Sequence, residues 1–140
     1  MGYTHYYTLK EKPNASKFKA FSEDCKKIAD DCNKNGIVVC GGGGEGEGAP
    51  VINENVVAIN GDKTRGQDHE TFYVSTDEDG FNFCKTAEKE YDPAVTAMLV
   101  ALKQHYPSAE ISSDGEQEGF EEGIAICERL LGYGSNFKVD

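Results

Sequence analysis

The stretch from Phe81 to Val95, reading FNFCKTAEKEYDPAV, restricts the fold more than any other part of the chain. Phe81 and Phe83 alternate with Asn82 and Cys84, the pattern of a strand. Tyr91-Asp92-Pro93 then reads as a helix entrance, with Asp92 at the N-cap and Pro93 at the first helical position. Val95, Met98, Leu99, Leu102 and Tyr106 follow at spacings of three and four, and Pro107 ends the pattern. A strand that feeds a one-sided apolar helix calls for a layer of helices on a sheet.

The rest of the sequence repeats that pattern. Tyr3 to Leu9 is a β-branched and aromatic run that suits a strand. Phe18, Phe21, Cys25, Ile28 and Cys32 form one apolar stripe on a helix. Short strands are expected at 37–40, 51–60, 70–75 and 81–84, with a hairpin turn at Asp77-Glu78-Asp79-Gly80. A strand at 109–112 leads through Ser113-Asp114-Gly115 into a last helix, where Asp114 and Gln117 have capping-box spacing. Phe120, Ile124, Cys127 and Leu131 form that helix's apolar face. The expected architecture is α+β: one mixed, mainly antiparallel sheet packed by about three helices as a two-layer sandwich. Residues 1–134 form a single domain with a flexible glycine-rich loop at 41–50, and 135–140 form a loose C-terminal tail.

Charge bounds the partners. The 140 residues carry a formal net charge of −11, and a surface of that sign repels a phosphate polymer. Nucleic acid polymers are therefore excluded, short of mimicry of DNA. A small anionic ligand still fits where Lys and Arg cluster locally. Cysteines 25, 32, 40, 84 and 127 show no CxxC pair and no zinc spacing, so they read as reduced core residues of a cytosolic protein. No secretory leader is recognisable, and no apolar run has the length of a bilayer span. Neither a metal site nor a cofactor motif is legible.

Several constellations have both a ligand-binding and a purely structural reading. Strand alternation puts Tyr3, His5 and Tyr7 on one face, where they could stack on a base or form an aromatic core around a satisfied histidine. Arg65, close to Lys63 in the polar loop 61–69, could grip phosphate or simply face water. Lys85 and Thr86 stand at the junction of strand end and helix start, where free N–H groups favour an anion, although Asp92 occupies that helix end itself. The glycine run 41–48 lacks the Lys-Ser/Thr and the helix of a phosphate loop. Cys84 as a nucleophile needs a histidine brought near by the fold. No reaction motif is present, which favours binding over turnover.

GYTHYY at the start, Asn60-Gly61, His69-Glu70-Thr71-Phe72, FCKTAEKEYD at 83–92 and SDG at 113–115 resemble, in this order, a small-protein family of bacteria and their phages. The chain departs from the family pattern at Glu90, where a proline is common, and in the acidic glycine insert at 41–48. The resemblance implies a compact α+β domain, a phage or prophage setting and a cytoplasmic life in a bacterial host. Among small phage proteins it also suggests an analogy with anti-defence proteins that sequester nucleotide-derived signals.

The resulting expectation is a non-enzymatic binding protein for a small phosphate-bearing ligand, held in a pocket that a homo-oligomer could share. Tyr3, His5 and Tyr7 would stack or hydrogen-bond. Arg65 and Lys85 would neutralise phosphate, and Thr86, Tyr91 and the 41–48 loop would complete the enclosure. One alternative is a hydrolase of such a nucleotide. Another is an acidic protein-interaction inhibitor of a host enzyme.

Overall fold

The computed structural model describes residues 3–41 and 48–140. Most of the expected glycine-rich loop, at 42–47, lies outside the described residues. The element order is β1 (Thr4–Leu9), α1 (Ala15–Lys34), β2 (Cys40–Gly41), β3 (Val51–Ile52), β4 (Val56–Asn60), β5 (Phe72–Ser75), β6 (Gly80–Lys85), α2 (Asp92–His105), β7 (Glu110–Ser113) and α3 (Glu121–Leu131). Three helices pack on antiparallel strands in a two-layer α+β arrangement, as the apolar stripes require.

The strands form two sheets rather than the single mixed one expected, and every described pairing is antiparallel. Sheet A has the order β6-β1-β7, with Tyr6 opposite Phe83 on one side and Ser112 on the other. Sheet B gathers β2, β3 and β5 around β4. The expected hairpin between β5 and β6 is where the sheets separate. Glu70 N–H donates to the Lys85 carbonyl, and Lys85 N–H donates to Glu70 Oε1. Beyond that clasp β5 joins β4 while β6 joins β1, so Asp77 to Gly80 carries the chain between sheets. The strand expected over 51–60 breaks at Asn53, whose side chain accepts from the N–H groups of Asn55 and Val56. This is a local turn that asparagine favours over a continuous ladder.

Helix α1 starts where Asn14 accepts from Lys17 N–H, and its stripe Phe18, Phe21, Cys25, Ile28 and Cys32 is wholly buried. Each large apolar side chain removed from water there contributes about 1.5–3 kcal/mol. Helix α2 is buried on every side from Ala94 through Leu102, not along one stripe. It sits between α1 and α3, and its alanines let both neighbours approach. At Gly123 of α3 a Cβ would lie 2.5 Å from Thr96 Oγ1, so only glycine permits that crossing.

The expected capping box before α3 is absent. Asp114 instead accepts from Thr4 N–H and from the Tyr6 hydroxyl. Gln117 instead clamps the C-terminal segment, donating to the Phe137 carbonyl and accepting from Val139 N–H. The residues from 135 onward are therefore docked, not loose. Phe137 is buried against Phe120, with ring centroids 4.9 Å apart. Asp140 N–H donates to the Ile111 carbonyl at the outer edge of β7.

Candidate functional site on the two faces of sheet A

Strand β1 sends alternate side chains to opposite faces of sheet A. On the inner face, His5 is fully buried and bridges two elements. Its Nε2 lies 2.6 Å from Asp92 Oδ1, and its Nδ1 lies 2.8 Å from Ser113 Oγ. A carboxylate only accepts, so Nε2 carries a proton toward Asp92, while Nδ1 is hydrogen-bonded with the Ser113 hydroxyl. Asp92 Oδ1 also accepts from Thr86 Oγ1 at 2.5 Å. Asp92 is thus the first residue of α2 rather than its side-chain cap, because its carboxylate is turned inward to His5 and Thr86.

Ser113, His5 and Asp92 follow the order of an acyl-transfer relay. The arrangement here holds elements together. Ser113 Oγ already accepts from Gly115 N–H at 3.0 Å. The Tyr3 side chain lies over the glycines that follow, so close that a Cβ at Gly115 would sit 1.9 Å from its hydroxyl. With His5 enclosed, the described geometry leaves no position for a substrate carbonyl between serine and histidine. Among the described residues, the flanking loops carry the non-glycine residues with positive φ, Ala87 at 53°, Glu88 at 57° and Glu116 at 55°. They mark how tightly the network determines the backbone on either side of it.

The structure brings together three of the residues expected to form a site and separates the others. Tyr3, His5 and Thr86 converge on the Asp92 network. Tyr7 is buried, and its hydroxyl donates to the Tyr73 carbonyl. Tyr91 is buried, and its hydroxyl donates to the Glu70 carbonyl. Burial pushes both phenols far above their ordinary value, so they stay neutral donors. Arg65 ends a short 3-10 turn and pairs closely with Glu90, with Asp62 at 3.9 Å; its charge is matched within the chain. Glu90 lines a cleft of about 340 Å³ at the start of α2, together with Glu88, Lys89, Asp92 and Glu122. Carboxylates dominate that lining, which repels phosphate.

The outer face is different. Phe81 is 65% exposed and Phe83 49% exposed, and both point away from the helices on β6. Tyr6 of β1 lies nearly parallel to Phe81, at 6.3 Å between centroids and 20° between planes. Phe81 and Phe83 are 6.1 Å apart. These rings form one continuous aromatic row. Lys85 continues it on β6 and makes no ion pair with a described residue. Across β1 the border is acidic, with Glu110, Asp114 and Asp140. Asp114 holds the Tyr6 hydroxyl at 3.0 Å, and this hydrogen bond raises the phenol's pKa. A groove of about 300 Å³ runs between the rings of Tyr6 and Phe81 and the carboxylates of Glu110 and Asp140.

Sequence reasoning passed over Tyr6, Phe81 and Phe83 as a surface. Their alternation was legible, but the pairing of β6 with β1 that aligns them was not. Comparison of the chain with protein-family models, with curated proteins and with solved structures finds no match.

Proposed function

We propose that this protein is a binder without turnover, and that the outer face of sheet A is its recognition surface. The observation that carries the reading is the exposed pair Phe81 and Phe83, with the half-buried Tyr6 stacked beside them, on an otherwise strongly acidic molecule. Large aromatic side chains left in water as a contiguous patch are a signature of interaction sites. Aromatic anchors inside a charged rim describe the energetic centre of many interfaces. The acidic border and the net charge of −11 fit a basic protein surface, steered in by the long-range field. Inhibitory capture of a basic partner, such as an enzyme of a bacterial host, is the form of function that this chemistry supports best.

A second reading has one observation in its favour. Lys85, which makes no ion pair with a described residue, ends the aromatic row. A planar base could stack on Phe83 while a phosphate meets the ammonium, as in a phage anti-defence protein that sequesters a nucleotide-derived signal. Arg65, Tyr7 and Tyr91 take no part in that version.

Calorimetric titration separates the two. The probes are hexa-arginine, ADP-ribose and a cyclic dinucleotide, each against the wild type, the Phe81→Ser/Phe83→Ser double variant and Lys85→Ala. Capture of a basic surface predicts that hexa-arginine binds, loses at least about tenfold in affinity in the double variant and weakens with added salt. Nucleotide capture predicts a nucleotide complex that Lys85→Ala abolishes. Binding of every probe unaffected by the loss of both phenylalanines would rule out the outer face for either ligand.

A further inference from the structure

Resting on the outer-face reading, we infer that the groove between the Tyr6 and Phe81 rings and the Glu110 and Asp140 carboxylates is a receptor for a single guanidinium group, the anchor of the partner's contact. Three features of the groove select that chemistry.

The first is the pairing of its walls. Tyr6 and Phe81 present π-faces held within 20° of one another, and a flat cation stacks on such a surface. Carboxylates stand opposite, where a fork of N–H donors can reach them. A guanidinium is planar and forked, so it satisfies both walls at once. An ammonium is a compact point charge that satisfies one at a time.

The second is the way the carboxylates are held. Asp140 Oδ2 accepts from Ile111 N–H at 2.7 Å, which fixes that side chain on the sheet edge. Its other contact is Lys103 at 3.4 Å, and Glu110 meets Lys10 at 3.1 Å. The Lys10–Glu110 pair is about half exposed on both sides, and such pairs exchange partners readily in water. A better-fitting cation can therefore displace Lys10 without disturbing the fold.

The third is scale. At about 300 Å³ the groove lies at the small end of ligand sites. It has room for the end of one arginine side chain. The floor is polar and small, supplied by Thr8 and Ser112.

The test uses single-residue probes on the intact protein, followed by residue-resolved NMR: N-acetyl-arginine amide, N-acetyl-lysine amide and N-acetyl-citrulline amide. Citrulline keeps the planar shape and loses the charge. The expected result is that the arginine probe perturbs Tyr6, Thr8, Phe81 and Glu110, that lysine binds several-fold more weakly and that citrulline gives no saturable shift. Glu110→Gln should weaken the arginine probe about two- to fivefold, the effect of losing one exposed charged contact. Equal binding of citrulline and arginine, or indifference to Glu110→Gln, overturns the groove assignment. Hexa-arginine then distinguishes the levels of failure. If it still maps to the outer face, the groove is wrong and the surface stands. If it maps elsewhere on the wild type, the surface is wrong and the groove falls with it.

Discussion

The two faces of β1 each carry a tyrosine and behave in opposite ways. His5 and Tyr7 point inward, and each polar atom there meets a defined partner: Ser113, Asp92 and the Tyr73 carbonyl. Tyr6 and its neighbours Phe81 and Phe83 point outward; Tyr6 is half-buried, and the two phenylalanines leave large rings in water. A hydroxyl spent on a buried carbonyl is a structural fastening, because releasing it strands the acceptor. A phenyl ring held exposed does nothing for the fold and is explained by what covers it. The inner face should therefore respond to mutation in stability, and the outer face in binding.

The largest effect should come from Asp92→Ala. It removes the acceptor of both His5 and Thr86, which are fully buried, and should cost about 3 kcal/mol in urea unfolding. Asp92→Asn keeps an oxygen in place and should cost less. A loss for Asp92→Ala below that of a typical surface substitution would dissolve the contrast between the faces.

Gly115→Ala comes next. Its new Cβ would meet the Tyr3 hydroxyl at 1.9 Å, so the expected loss is about 1–3 kcal/mol. Adding Tyr3→Phe removes the clashing oxygen and should restore part of the stability in the same unfolding assay. Tyr7→Phe, which leaves the Tyr73 carbonyl with one donor fewer, should cost about 1 kcal/mol.

A smaller effect is expected away from both faces. Arg129 holds Asp31 through paired contacts of 2.9 and 2.8 Å, and these hydrogen bonds lower the Asp31 carboxyl below its ordinary value. A depressed carboxylate adds stability above its unfolded pKa and loses it as pH falls through the folded one. Arg129→Ala should therefore lower the melting temperature slightly at neutral pH, and the difference should vanish in strong acid. A difference that persists in acid would assign the effect to packing. The smallest change in stability is expected from Phe81→Ala and Phe83→Ala, each less than about 1 kcal/mol.

What was legible in the sequence followed from periodicity. The stripe on α1 and the sidedness of β1 could be read because spacing alone determines which residues share a face. The reading went astray where side chains override the local pattern. Asp92 and Asp114 have the placing of helix caps, yet both carboxylates turn to β1 and its partners, a competition that only the assembled sheet decides. The turn at Asp77 to Gly80 has good hairpin chemistry, but β4 and β1 each claim one of the strands it joins. Arg65 looked available because Glu90, its partner, lies far along the sequence. The Ser113–His5–Asp92 chain spans three elements and leaves no linear trace.

The most direct test of the outer face as the recognition surface is an amide NMR map of hexa-arginine bound to the wild-type protein. The expected map is a continuous patch over Tyr6, Thr8, Phe81 and Phe83 that disappears in the Phe81→Ser/Phe83→Ser variant while the protein stays folded. Shifts spread over the acidic residues of α1 and α3, with the aromatic row unmoved, would contradict it.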